Sequence, residues 1–264
     1  MNFDNKTVWI TGASSGIGKG LAFAFSNSGA NVILSARNKS KLIEVKSICK
    51  DPDKVQILPL DLADFSSFEE KTRIANNFFN GIDILVNNGG ISQRSYAVDT
   101  ELKVDQQIFE VNYFGTIALT KAVLPYFISK KNGQIVVISS IMGKLGTPLR
   151  SAYAGSKHAL HGFFDSLRAE LYHDNIKVTI ICPGYVNTNV SKNALTADGS
   201  KFEELDEATA NGLSPEEFAN KALKVIHKQK REVIIAGAKE KAGVYLKRFF
   251  PSVLANVIRK VNVT

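Results

Sequence analysis

Tyr153 and Lys157 stand four residues apart in the run Ser151-Ala152-Tyr153-Ala154-Gly155-Ser156-Lys157. In a helix that spacing puts both side chains on one face. A free phenol titrates near ~10 and is a poor proton partner at neutral pH. A neighbouring ammonium favours the phenolate and brings the phenol towards a working range. The pair alone is unspecific, because Tyr-x-x-x-Lys arises by chance on many surface helices. Its surroundings add meaning. Ile138-Ser139-Ser140 closes an apolar run upstream, and Ser140 can donate a hydrogen bond to a carbonyl oxygen that Tyr153 protonates. Asn112 lies inside an apolar helical stretch, where Asn is a poor helix former. Such a residue is either a tolerated surface amide or one that holds a water or a functional group.

A second constellation lies near the start. Thr11-Gly12-Ala13-Ser14-Ser15-Gly16-Ile17-Gly18 follows an apolar run and opens an amphipathic stretch. Gly12, Gly16 and Gly18 allow a tight turn and close approach of a ligand to the backbone. The helix start then offers free N–H groups and a positive dipole end to a pyrophosphate, with Ser14, Ser15 and Ile17 in the same turn. Position on the first strand of a βαβ unit makes the signal specific for a dinucleotide. The stretch also matches the G-x-S-x-G turn of α/β-hydrolases, with Ser14 as nucleophile. Only one strand precedes Ser14, however, and none of His158, His161, His173 or His227 follows a late strand as a triad requires. The second apolar run ends at Ser35-Ala36-Arg37-Asn38. A site for NAD usually places a carboxylate there for the ribose 2′-OH. Arg37 instead offers a fork of donors suited to a 2′-phosphate, which predicts NADP(H).

These residues need a frame. Short β-branched runs span Thr7 to Thr11, Asn31 to Ala36, Val55 to Leu60, Ile82 to Asn87, Gln134 to Ser139, Lys177 to Cys182 and Glu232 to Ala236. Most are apolar throughout, as strands buried on both faces are. Helical stretches such as Gly16 to Asn27 and Ser66 to Phe79 lie between them. Seven strands with helical crossovers predict a doubly wound parallel α/β sheet of Rossmann type, with helices on both faces and one domain over residues 1–264.

The chain has 264 residues, is 44 % hydrophobic and 22 % charged, and holds two cysteines. That composition excludes a disordered chain, a collagen-like repeat and a disulfide scaffold. Cys49 and Cys182 lack a C-x-x-C spacing, which suits a reducing, cytoplasmic setting. No targeting segment or membrane span is expected. His158 and His161 are three apart but lack a third ligand at an obvious spacing, so no metal is expected. The net charge is +8, and the segment from Lys228 to Thr264 carries +7 of it. A nearly neutral body with a basic tail does not fit a nucleic-acid-binding domain.

Two segments break the alternation. Residues 187–213 form a polar insertion with Val190, Leu195, Phe202 and Leu205, read as a lid over a moderately apolar substrate. Residues 239–264 place Leu246, Phe249, Phe250, Val253, Leu254, Val257, Ile258 and Val261 at helical spacing, beside Lys247, Arg248, Arg259 and Lys260. Covering the pocket or a subunit is the expected use of that stripe; peripheral membrane contact is the alternative.

With Thr11 to Gly18, Asp61-Leu62, Asn87-Asn88-Gly89-Gly90, Asn112, Ser140, Tyr153/Lys157 and Pro183-Gly184 in this order, the chain resembles the short-chain dehydrogenase/reductase family from Lys6 to Ala236. The serine-to-lysine run and the tail look most similar to the family-7 branch. The resemblance implies a tetrad of Asn112, Ser140, Tyr153 and Lys157. Tyr153 would be the general acid/base, Lys157 would tune it and hold the nicotinamide ribose, and Asn112 would anchor a water relay. It further implies that Asp61, with Leu62, holds the adenine and that Asn88 and Gly89 line the ribose side. Pro183, Gly184, Val186 and Thr188 would contact the nicotinamide end. Gly89 departs from the family, which usually has Ala, and should loosen that loop slightly. The implied reaction is hydride transfer between the nicotinamide and a carbonyl or secondary alcohol, in a homodimer or homotetramer. A non-catalytic dinucleotide-binding redox sensor is the competing reading.

Overall fold

Residues 1–204 and 206–259 are described by a computed structural model. The apolar runs become strands β1 (Thr7–Thr11), β2 (Asn31–Ser35), β3 (Val55–Ile57), β4 (Ile84–Asn87), β5 (Gly133–Ile138), β6 (Ile176–Pro183) and β7 (Glu232–Ile235). The helices are α1 (Gly16–Asn27), α2 (Lys39–Ser47), α3 (Phe68–Asn77), α4 (Leu102–Phe109), α5 (Gly115–Lys130), α6 (Ser151–Glu170), α7 (Glu207–Ala210), α8 (Pro215–His227), α9 (Ala238–Phe249) and α10 (Pro251–Ile258). The strands form one parallel sheet in the order β3-β2-β1-β4-β5-β6-β7.

The continuous apolar strands follow from burial on both faces. Val8 and Ile10 join one core with α1, α2 and α8, while Trp9 between them joins the other, with α3, α5 and α6. Trp9 is fully buried, and its indole N–H needs a partner. It donates to Ser35 Oγ at 2.8 Å, and that hydroxyl donates to Leu58 O at 2.6 Å. β3 stops at Ile57, short of the predicted Leu60, although the Leu58 and Leu60 N–H groups still donate to Leu34 O at 2.9 Å and Ala36 O at 3.2 Å.

The strand order reverses between β1 and β4, so the loops after these two strands diverge and leave a crevice at the carboxyl edge. Thr11 Oγ1 ties that crevice together. It accepts from the Asn88 and Gly89 N–H groups, each at 3.0 Å, while Asn88 Nδ2 donates to Thr11 O at 2.9 Å.

The insertion over residues 187–213 is mostly turns, with the four-residue α7 and isolated bridges from Leu195 to Gln93 and Lys201. Leu195 packs into a small core with Val104, Ile108 and Ala152 rather than facing a substrate. Phe202 is half-buried, and Leu205 lies outside the described residues. The apolar stripe of the tail divides between two faces. Leu246, Leu254 and Ile258 turn inward onto Ile141, Met142 and Leu145, whereas Phe249, Phe250, Val253 and Val257 stay exposed. Lys260 and Val261 lie outside the described residues.

Candidate active site

The turn from β1 into α1 requires its glycines. Gly12 and Gly16 have φ of +64° and +52°, a region L side chains avoid. A Cβ on Gly12 would meet Gly89 Cα at 2.8 Å, and one on Gly18 would meet Gly12 O at 2.2 Å. A Cβ on Gly16 would meet Thr188 Cγ2 at 2.9 Å, so the insertion starts directly against this turn. Ser15 caps α1 without a side-chain bond, and the first turn holds no acidic residue. Its N–H groups thus face no carboxylate, and the close-packed glycine cradle fits the diphosphate of a dinucleotide.

Arg37 is exposed just beyond β2, and the carboxylate of an NAD-type site is missing there. Asp61 is exposed after β3, with Oδ1 accepting from the Ala63 N–H at 3.1 Å. Leu62 is buried, and a Cβ on Gly89 would come within 2.5 Å of its Cδ1. Glycine at position 89 therefore makes room for Leu62.

The second half of the site sits where β5 ends. Ser140 accepts at Oγ from the Met142 N–H at 3.1 Å, starting a single 3₁₀ turn, and it lines the same cleft as Tyr153. Burial pushes the Tyr153 phenol up, while the Ser140 hydroxyl and the Arg150 and Arg94 guanidiniums draw it partly back. Lys157 Nζ donates to Ile138 O at 3.0 Å and lies 5.8 Å from the centre of the Tyr153 ring. Burial lowers Lys157 to about 8.

Asn112 explains its place in a helix. Residues Glu110–Phe114 form a π-helical turn between α4 and α5, a feature common at functional sites. The fully buried Asn112 side chain accepts from the Ile91 N–H at 2.8 Å and donates to Ile91 O at 2.9 Å and to Ser156 Oγ at 3.1 Å. Its amide clamps the loop after β4 to α6.

Other residues here escaped the sequence reading. Gln93 Oε1 accepts from the Ala152 N–H at 2.9 Å, satisfying the start of α6, whose N-cap Arg150 makes no side-chain cap bond. Arg94 and Asp206 form an ion pair with side chains 3 % and 1 % exposed, and Arg150 NH2 lies 3.7 Å from the same carboxylate. No sequence signal links Arg94 to Asp206, 112 residues away. A cleft at the carboxyl edge is lined by Arg94, Ser140, Met142, Arg150, Tyr153 and Val190, together with Gly184 and Val186. Pro183 ends β6 beside it.

His161 adds a third contact between α6 and the end of β5. Tyr153, Lys157 and His161 follow one another at four-residue steps and meet Ser140, Ile138 and Ser139 respectively. His161 Nε2 lies 3.0 Å from Ser139 Oγ, and Nδ1 lies 3.3 Å from Glu232 Oε2. Lys144 also holds Glu232, and the two partners bring its carboxyl down to about 2. His158 is exposed, with Nδ1 2.8 Å from Ala154 O.

A glycine turn at the switch point and a Ser/Tyr/Lys group at the same sheet edge define an oxidoreductase of the nicotinamide-dinucleotide class, acting on CH–OH and C=O groups. The family model for short chain dehydrogenase matches residues 6–199. A dehydrogenase/reductase SDR family protein 7-like of Anopheles gambiae is 46 % identical over 265 residues, covering 98 % of this chain and 84 % of that protein. Dehydrogenase/reductase SDR family member 7B of Bos taurus is 44 % identical, with 94 % and 78 % covered. A short-chain dehydrogenase from Streptomyces avermitilis superposes with a TM-score of 0.79 at 28 % identity, covering 96 % of each chain. Enzymes from Burkholderia cenocepacia, in complex with NADP, and Burkholderia phymatum, in complex with NAD, share the fold with TM-scores of 0.80 and 0.83 at 23 % and 19 % identity. They cover 98 % and 100 % of this chain, and 99 % and 98 % of their own. The chain belongs to the short-chain dehydrogenase/reductase family, in the family-7 branch.

Proposed function

We propose that this chain is an NADP(H)-dependent oxidoreductase that interconverts a carbonyl and a secondary alcohol, with Tyr153 as general acid/base. The observation that carries the reading is that Tyr153 and Ser140 line one cleft at the same sheet edge as the glycine turn, with Lys157 one helical turn away. The nicotinamide supplies the hydride chemistry when bound. Backbone N–H groups at Ser14 to Gly18 bind its diphosphate, and Arg37 binds the 2′-phosphate. Asp61, with Leu62, holds the adenine, Asn88 and Gly89 line the ribose side, and Pro183, Gly184, Val186 and Thr188 contact the nicotinamide end.

In the cleft, Ser140 and Tyr153 together polarise a substrate oxygen, and Tyr153 delivers the proton. In the reverse direction the same hydroxyl must accept it. Lys157 holds the nicotinamide ribose, and as a cation within the same buried site it favours the phenolate once that forms. Asn112 keeps the loop at Ile91 and Ser156 of α6 in register, and the Ser156 hydroxyl in turn donates to Tyr153 O at 2.8 Å.

Dinucleotide oxidation is followed with NADPH and NADH across a panel of apolar ketones and aldehydes. Substrate-dependent oxidation with NADPH favoured is the expected result. Tight dinucleotide binding without turnover on any member of the panel would move the protein to the redox-sensor reading.

A further inference from the structure

The outer side of the tail carries a surface that the proposed reaction does not use. On α9 and α10, Tyr245, Phe249, Phe250, Val253 and Val257 are 64 %, 66 %, 61 %, 49 % and 46 % exposed. Lys239, Lys241, Lys247 and Arg248 are exposed on α9, and Arg259 is exposed just beyond α10. Glu240, the acidic residue of this pair of helices, turns inward and accepts from the Tyr185 N–H at 3.1 Å. Among the described residues, the exposed charges of α9 and α10 are therefore all basic. Exposed aromatic and aliphatic side chains flanked by cations alone are uncommon on a protein that faces only water.

We infer that the outer face of α9 and α10 docks on an anionic lipid bilayer, lying in the headgroup plane with Phe249 and Phe250 inserted. Three observations select that occupant. The helices have 12 and 8 residues, and no helix among the described residues is long and apolar enough to cross a membrane, so the face lies on a surface. The charge is complementary: the segment from Lys228 onward holds +7 of the chain's +8. A second copy of the chain is the poorer partner, because a two-fold contact over this face would set Lys247 and Arg248 near their own copies.

The inner side gives the docking a direction. Leu246, Leu254 and Ile258 pack on Ile141 and Met142, and these two residues line the cleft beside Tyr153. Docking through the outer face thus places the wall of the cleft one helix layer from the lipid.

The full chain is floated with phosphatidylcholine vesicles and with vesicles that also contain phosphatidylserine. Wild type, F249S/F250S and K247E/R248E are compared at low and high salt. The wild type should float with the anionic vesicles, and each double variant should partition about tenfold more weakly or worse. High salt should weaken wild-type binding. Because these side chains are exposed, all three chains should share one melting temperature. Absence of wild-type flotation, or equal flotation of wild type and F249S/F250S, overturns the assignment. A change of oligomeric state in F249S/F250S without any change in flotation overturns it too, and gives the face to a second copy.

Discussion

Lys157 and Tyr153, one turn apart on α6, meet different parts of the same strand end: the amine donates to Ile138 O at 3.0 Å, and Tyr153 shares the cleft with Ser140. The end of β5 thus sets both groups independently. Lys157 is pulled back towards the sheet, and Tyr153 is left to meet the cleft.

Tyr153→Phe keeps the ring and removes only the proton carrier. Turnover should fall by about 10²-fold or more, the usual contribution of general acid/base catalysis. Dinucleotide affinity and melting temperature should change little. Steady-state kinetics beside a dinucleotide titration check this, and near-normal turnover would remove Tyr153 from the reaction.

Lys157 should make stability depend on pH in an unusual direction. Burial lowers it from 10.5 to about 8 in the folded chain. Below pH 8 it is charged both folded and unfolded, so the whole cost of burying the charge, about 3 kcal/mol, is present. Between pH 8 and about 10.4 the folded chain loses the proton first and the cost fades. Lys157→Met removes that cost and leaves Ile138 O without a donor, a loss of about 1 kcal/mol. The variant should melt higher than wild type at pH 7, lose that advantage towards pH 10, and turn over substrate poorly. Thermal melts at the two pH values decide it; equal melting at pH 7 would show that the amine is not held as a buried charge.

Arg37→Asp exchanges a donor fork for the carboxylate of an NAD-type site. A charge-assisted hydrogen bond contributes about 1.5–3 kcal/mol, roughly ten- to a hundredfold in affinity. Because Arg37 is exposed, the loss of preference for NADPH over NADH should lie at the lower end. Titrations of both dinucleotides measure it, and an unchanged ratio would dismiss Arg37 as the selector.

Local chemistry carried most of what the sequence revealed. The glycines at 12, 16 and 18, the four-residue step from Tyr153 to Lys157 and the uniformly apolar strands each report on their own few neighbours. Partners distant in the chain did not show. Gln93 reaches α6 from 59 residues away, and Arg94 meets Asp206 from 112. Only the topology brings such residues together. The tail's apolar stripe is continuous in spacing, and a new helix at Pro251 is legible there, but only the packing shows that Leu246, Leu254 and Ile258 turn inward while the rest of the stripe turns outward.

Asp206→Asn tests the hidden ion pair. Arg94 would keep its charge in a place nearly closed to water, with its carboxylate partner gone. Losing one member of a buried pair costs about 3–5 kcal/mol. Asp206 also caps α7 by accepting from the Thr209 N–H at 2.8 Å, a role Asn can keep. Chemical denaturation should show a loss of that size, and a change below 1 kcal/mol would show that the charge is solvated instead.

The widened turn at Glu110–Phe114 holds one residue more than a regular helix would. Each residue advances a helix by about 100°, so this extra one works as an angular offset between the two helices it joins. It lets Asn112 point towards Ile91 while Thr120, further along, still meets Asn87 on the neighbouring strand. Deleting one residue there would leave a smoother rod whose downstream half is rotated away from the sheet. The irregularity is what allows one continuous stretch of chain to serve two differently oriented surfaces.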